Sequence, residues 1–310
     1  MASIQNLEIE VTELFKKKEY SKVIFQITSE TKDEERTAFL CNLLGLSRIT
    51  NNKKNKDALT SAIKDFKFGY IKEKTTIHAI DALANFITTN VFLIDLENNY
   101  EFDFTEIFDF YKSSEQISLN HRPLNLAMAM VYRRLNDAKK LIFHFKRVIE
   151  SKKFNSIDLC NYGYWQCFDK VWKQSDFLNY GKFLDESLRL IPQNQLIEIS
   201  QATGSKIKIG FLSSDVVEGH SITYFLKTIL SNYNKNKFEI ILFLNNSKED
   251  SSTENFKNLV DKTINISNLN NVDALNRVRE LKVDIMIDLM GYTSFQRIEL
   301  FKNRMAKKQI

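Results

Sequence analysis

The chain has 310 residues, of which 43% are hydrophobic and 27% are charged, and 44 basic against 39 acidic side chains leave a net charge of +5. This composition is ordinary for a globular chain that can bury a core, and the length allows about two domains. The basic residues are spread without a stripe of interleaved aromatics, so we expect no nucleic-acid partner.

Neither a signal peptide nor a continuous apolar run of about 20 residues is apparent, so we expect no membrane partner and a cytoplasmic location. The three cysteines are odd in number and lie in apolar helical contexts. They are expected to be reduced core residues.

Up to residue 200, apolar residues recur three and four positions apart, as on one face of a helix. Four segments repeat the same pattern of a helix, a short polar break and a second helix. The breaks of the first three segments lie near residues 18–19, 51–55 and 135–137, and the fourth helix pair spans 162–183. Each unit has about the length of a tetratricopeptide repeat and could not bury its apolar face alone. We predict a TPR-like helical repeat domain over 1–200, with an irregular helical bundle as the alternative. The acidic, aromatic stretch 95–104 breaks the pattern and is interpreted as an insertion.

The period changes near residues 201–205, a small and polar segment that predicts a domain boundary. Strands are then predicted at 207–212, 238–244, 263–266 and 284–289. Helices are predicted between them at 221–233, 254–261 and 272–281. This alternation predicts a parallel sheet with right-handed crossovers, a Rossmann-like lobe over 206–310. The fold class expected for the chain is therefore α plus α/β.

Two strand ends carry residues suited to a ligand, because parallel sheets bind ligands at the carboxyl ends of their strands. Ser213, Ser214 and Asp215 follow the first predicted strand, and Asp288 begins the segment after the last. A helix starting at residue 221 would present free amide groups to an anion, and His220 at its cap could accept a proton. The alternative is structural, with loop turns formed by the polar residues and a surface position for the histidine. The residues alone predict an anion-tolerant site with one possible base.

Two segments carry a family resemblance. Residues 206–226, with Gly219-His220-Ser221, resemble the start of the catalytic region of the protein O-linked N-acetylglucosaminyltransferases, in which a strand R-I-G-Y-V-S-x-D-F precedes H-S-V-x-Y-F. Residues 283–301 are similar to that family's D-I-L-V-D-L-x-G-[YH]-T-x-x-x-R-x-x-x-F segment. The order and spacing of the motifs agree, and helical repeats precede them. The resemblance is closest over residues 206–301.

The resemblance implies a GT-B glycosyltransferase that moves N-acetylglucosamine or a related sugar from a nucleotide sugar, such as UDP-N-acetylglucosamine, to Ser or Thr of a protein. It implies no metal and no further cofactor, and protein or peptide partners held by the helical repeats. His220 is implied as the catalytic residue. The cleft-lining residues implied are Ser214, Asp215, Ser221, Thr223, Tyr224, Asp288, Gly291, Tyr292, Thr293 and Arg297.

The sequence departs from the family in two places. After residue 301 the family continues into a second, donor-binding lobe that these 310 residues do not contain, and residues 216–218 form an unusual loop before His220. We therefore expect a part of the catalytic region that is inactive on its own. One alternative is a non-catalytic TPR-type adaptor with a vestigial lobe. Another is a protein that binds a small nucleotide through the 213–221 corner alone.

Overall fold

The computed structural model describes residues 2–52, 55–96, 103–169, 172–200, 204 and 206–310. The chain divides into two compact units, Met1–Phe154 and Asn155–Ile310. The first unit is helical, and the second joins two helices to a five-stranded parallel sheet. The predicted fold class, helical segments followed by a Rossmann-like lobe, is confirmed.

The first unit consists of helices in sequential pairs. They are α1 (Ala2–Lys16), α2 (Tyr20–Glu30), α3 (Ala38–Asn51), α4 (Lys56–Glu73), α5 (Ile77–Leu96), α6 (Thr105–Ser118), α7 (Arg122–Arg134) and α8 (Ala138–Glu150). Side-chain caps start several of them: Thr37, Asn55 and Asp137 accept hydrogen bonds from amides three residues on. The breaks predicted near residues 18 and 136 are tight turns, with positive φ at Lys18 and Asn136.

Helix α5 forms the centre of the first unit and corrects one expectation. By length and composition alone, α5 could cross a membrane. This was not expected from the sequence, because Asp, Asn and Thr interrupt the apolar run. Twelve of its residues are buried. Among them Leu83 and Ile87 pack in one cluster with Phe66, Tyr70 and Met128, so its apolar surface is used inside the unit.

The unit boundary falls earlier than the sequence predicted. Of the predicted boundary segment 201–205, only Gly204 lies among the described residues, and most of the predicted insertion, 97–102, lies outside them. The fourth helix pair, α9 (Ser156–Gln166) and α10 (Gln174–Ser187), belongs to the second unit. The rings of Tyr180 on α10 and Tyr292 in the lobe lie 6.2 Å apart. This packing explains why the division lies between Phe154 and Asn155.

The second unit contains the sheet and its crossover helices. The strands are β1 (Ile207–Ser213), β2 (Phe238–Leu244), β3 (Lys262–Asn265), β4 (Ile285–Asp288) and β5 (Lys308–Gln309), in the order β3-β2-β1-β4-β5, all parallel. The helices are α11 (Ser221–Asn232), α12 (Ser251–Lys257), α13 (Asn271–Glu280) and α14 (Ile298–Lys302). Helix α14 and strand β5 were not predicted from the sequence, and α12 begins three residues before its predicted start.

Alternating side chains of the strands pack into two hydrophobic cores, one on each face of the sheet. Phe211 and Leu242 pack with Leu226 of α11, whereas Leu212 and Phe243 pack in the cluster that includes α13. Both faces are covered, as is typical of a parallel sheet whose crossovers are helices.

The cysteines divide between core and surface. Cys41 and Cys160 are buried, and burial raises the pKa of each thiol to about 12. Cys167 is exposed, which corrects its assignment to the core, because it lies just past the end of α9.

Candidate functional site

The strand order places the predicted site where the crossovers change direction. β1 pairs with β2 on one side and with β4 on the other, and Leu212 of β1 is in register with Asp288 of β4. The loops after these two strands therefore leave the sheet side by side. In an open parallel sheet this switch point is the usual place for a ligand.

The loop after β1 is held by its own polar side chains. Ser213 is fully buried, and its hydroxyl accepts a hydrogen bond from the amide of Asp215 at 3.0 Å. The hydroxyl of Ser214 donates to Oδ1 of Asp215 at 2.8 Å. These bonds direct the Asp215 carboxylate toward the start of α11, where its Oδ2 lies 3.9 Å from Nε2 of His220.

His220 caps α11, as the sequence predicted. Its Nδ1 accepts a hydrogen bond from the amide of Ile222 at 3.4 Å, and its carbonyl accepts one from the hydroxyl of Thr223 at 2.6 Å. Since Nδ1 acts as an acceptor, the neutral ring carries its proton on Nε2, the nitrogen that faces Asp215. The side chain is 44% exposed, so this Nε2–H is within reach of a ligand.

The loop after β4 uses its predicted site residues to form a turn. The carboxylate of Asp288 accepts hydrogen bonds from the amides of Met290 at 3.0 Å and Gly291 at 3.1 Å. Burial raises the pKa of this carboxyl group, and the two amides act against that rise. Gly291 has φ +54°, which a side chain would disfavour, and the hydroxyl of Thr293 donates to the carbonyl of Met290. These contacts agree with the structural alternative, in which the polar residues form a loop turn.

Tyr292 packs against the helix pair of its own unit. A Cβ built on Gly163 of α9 would lie 3.1 Å from the Tyr292 ring and 2.6 Å from Tyr180. Burial raises the pKa of the Tyr292 hydroxyl. The structure thus gives this predicted cleft residue a packing role.

On the β2 side of β1 lies a cavity of about 530 Å³, which brings together two predicted residues, Ser214 and Arg297. The guanidinium of Arg297 donates to Oδ1 of Asn245 at 3.2 Å and to the carbonyl of Leu269 at 3.1 Å. Burial lowers the pKa of Arg297.

The remaining predicted residues lie on α11. Thr223 is buried and supports the His220 backbone, Ser221 is exposed, and Tyr224 projects into solvent with 71% of its surface exposed. The structure therefore joins Ser214, Asp215 and His220 through direct contacts.

Residues that follow β2 and β3 also belong to the candidate site, although they were not predicted from the sequence. Asn245 and Lys248 follow β2, Ser267 follows β3, and all three line the same cavity as Ser214. The signal was available, because the rule that parallel strands bind ligands at their carboxyl ends applies to every strand of the sheet.

The second unit is similar in sequence to known proteins. Glycosyl transferase family 41 matches residues 188–310. A tomato (Solanum lycopersicum) protein described as probable UDP-N-acetylglucosamine–peptide N-acetylglucosaminyltransferase SPINDLY is 26% identical over 127 residues, 40% of this chain and 14% of that protein. Its rice (Oryza sativa subsp. japonica) counterpart is 27% identical over the same length and the same shares of both chains. The match thus spans about one seventh of these relatives.

One solved structure extends the similarity to most of the chain. A mutant O-GlcNAc transferase from Thermobaculum terrenum aligns with a TM-score of 0.58 and 13% identity, covering 90% of this chain and 50% of that one. At this identity the likeness shows a shared fold. It covers helical segments as well as the sheet-containing lobe.

Proposed function

We propose that the chain is part of a protein O-glycosyltransferase, because residues 188–310 match glycosyl transferase family 41 and are similar to probable N-acetylglucosaminyltransferases. The lobe would be the N-terminal half of a GT-B catalytic region. The reaction would move N-acetylglucosamine or a related sugar from a nucleotide sugar to a Ser or Thr hydroxyl, without a metal. The family match over the sheet that carries the His220 corner is the observation that carries the proposal.

In this proposal His220 acts as a hydrogen-bond donor. Its Nδ1 is engaged by the amide of Ile222, so the ring offers Nε2–H toward solvent and toward Asp215. A positioned donor stabilises charge that develops on a phosphate or sugar oxygen as the bond to the leaving group breaks. A role as proton acceptor would require the ring to give up the Ile222 contact or to carry its proton on Nδ1.

The helical unit would hold the protein substrate as a TPR-like array in the cytoplasm. Its sequential helix pairs support this part of the proposal. The relatives carry about six sevenths of their length outside the matched segment. Because diphosphate stabilisation and substrate positioning need both walls of a cleft, we expect the 310-residue chain alone to show no measurable transfer.

The test is a sugar-transfer assay with the intact gene product that contains this chain. Labelled UDP-N-acetylglucosamine and GDP-fucose are offered with an extract of acceptor proteins, and incorporation at Ser or Thr is located by mass spectrometry. We expect transfer from one of the two donors, and its loss in His220→Ala. Lys227→Gln, an exposed substitution elsewhere on α11, is the matched control. Absence of transfer from both donors would overturn the proposal and favour the adaptor.

A further inference from the structure

The cavity beside β1 is built from the ends of several strands. Ser214 follows β1, Asn245 and Lys248 follow β2, Ser267 follows β3, and Phe295 and Arg297 come from the segment after β4. Its volume of about 530 Å³ falls in the range of small-molecule sites, roughly 300–1,000 Å³. It lies on the opposite side of β1 from the Asp288 turn.

The cavity is positively charged. Lys248 and Arg297 contribute two cations, and no carboxylate is among the described residues that line it. The neighbouring acids are engaged elsewhere. Asp215 accepts from the hydroxyl of Ser214 and lies 3.9 Å from His220. Glu249 pairs with Lys257, and Asp250 accepts from the amides of Glu218 and Thr253. A wall of cations, amides and hydroxyls without a facing acid suits an anion.

The partial burial of Arg297 also indicates an anion site. Its guanidinium donates only to neutral oxygens, of Asn245 and Leu269, and its Nε is buried without a hydrogen-bond partner among the described residues. Glu299 acts on it electrostatically, but the Glu299 carboxylate accepts its hydrogen bond from Asn271. A half-buried cation without a charged hydrogen-bond partner costs free energy that a bound anion would offset.

Phe295 adds an aromatic surface at the edge of this charged cavity. Its side chain is 77% exposed, and its backbone has φ +63°, a conformation that bulky residues rarely adopt. The side-chain amide of Asn245 donates to the Phe295 carbonyl at 2.7 Å and holds the backbone in this state. Strain that keeps a large apolar ring in solvent beside a cavity is a mark of a functional position.

We propose that this cavity binds a nucleoside phosphate. The phosphate lies near Lys248 and Arg297, and the flat base packs on the exposed ring of Phe295. The cavity shares Ser214 with the His220 corner, but its cations and its aromatic ring follow β2 and β4. It does not depend on sugar transfer and is tested on the 310-residue chain.

Isothermal titration calorimetry of the chain with UDP, ADP, uridine and inorganic phosphate tests the proposal. We expect saturable binding of UDP or ADP with one site per chain. Uridine and phosphate are each expected to bind at least about tenfold more weakly, because each lacks one of the two contacts. An adventitious anion site would instead bind inorganic phosphate as tightly as the nucleotides and would overturn the proposal.

Variants connect the binding to the cavity. Lys248 and Phe295 are exposed, so Lys248→Gln and Phe295→Ala leave the core intact, which thermal unfolding of each variant checks. Each is expected to weaken nucleotide binding at least about tenfold. Lys227→Gln on α11 removes the same charge outside the cavity and is expected to bind as the wild type does. Unchanged affinity in both cavity variants, or no saturation by either nucleotide, would overturn the proposal.

Discussion

Nε2 of His220 lies 3.9 Å from Oδ2 of Asp215, while Nδ1 of the same ring accepts a hydrogen bond from the amide of Ile222. The N-cap residue of α11 and the carboxylate of Asp215 in the loop after β1 thus face each other. The unusual loop 216–218 before His220 is held in place because the carboxylate of Asp250 accepts a hydrogen bond from the amide of Glu218 at 2.7 Å.

This relationship predicts a graded response to substitution at His220. In the intact protein, His220→Ala should lower kcat about 100-fold, the usual effect of losing one preorganised donor. His220→Gln keeps an N–H donor on a similar stem and should retain more activity than His220→Ala. Rates are measured by sugar transfer under saturating donor. Equal loss in both variants would contradict the donor role and favour proton acceptance by the ring.

A matched pair of helix glycines tests the packing of α9 against the lobe. In Gly163→Ala the added Cβ would lie 2.6 Å from the ring of Tyr180 and 3.1 Å from that of Tyr292. Overpacking of this kind costs about 1–3 kcal/mol of unfolding free energy. In Gly181→Ala of α10 nothing lies within 4 Å, so the change should stabilise the unit by about 0.5–1 kcal/mol. Urea unfolding followed by circular dichroism measures both, and a similar effect of the two substitutions would contradict the contact.

The fold was predictable wherever local periodicity decided it. Strand β2 lies where the sequence predicted it, because the apolar run 240–244 is short and ends at polar residues, which leaves few alternatives. Strand β5, only two residues long, was missed because its place depends on pairing with β4 rather than on its own pattern. The assignment of α9 and α10 to the lobe was equally hidden, since it rests on long-range packing of Tyr180 against Tyr292.

The candidate site was predictable in part. His220 and Asp215 were singled out because they follow β1 closely and match a family motif, and their side chains lie 3.9 Å apart. The orientation of the His220 ring could not be predicted, since it depends on the amide of Ile222. Asp288 and Tyr292 belong to the second family motif, but their side chains form a turn and a packing contact, which a motif does not distinguish from a ligand contact.

Burial of His144 predicts a pH dependence for the first unit. Its ring stacks on Tyr132 and its Nδ1 bonds to Oδ1 of Asn125 at 3.0 Å, and burial together with the nearby Arg147 lowers its pKa from 6.5 to about 4. The unfolded chain therefore takes up the proton first as the pH falls from 6.5 to 4. Over this window the free energy of unfolding should fall by about 3 kcal/mol through this group.

Asp65 acts with the opposite sign, so the measurement must separate the two groups. Burial raises the pKa of Asp65 to about 6 despite its ion pair with Arg48, and the folded state therefore binds this proton first and gains stability over a similar range. The difference in unfolding free energy between the wild type and His144→Gln, taken at pH 7 and at pH 4, removes the Asp65 contribution. We expect the wild type to lose its advantage at pH 4, and a pH-independent difference would contradict the lowered pKa of His144.

Fragments test where the second unit begins. Asn303 is buried, and its side chain accepts from the amide of Ile191 at 2.6 Å and donates to the carbonyl of Arg189 at 3.0 Å. Arg279, also buried, donates to the carbonyl of Ile197 at 2.7 Å. A fragment that begins at residue 206 loses all three partners, and each orphaned buried group costs about 1–3 kcal/mol.

We therefore expect fragment 155–310 to unfold cooperatively in urea and fragment 206–310 to be several kcal/mol less stable or unfolded. Asn303→Ala within 155–310 is the control, since it should reproduce only part of that loss. Equal stability of the two fragments would place the boundary near residue 205, as the sequence period alone suggested.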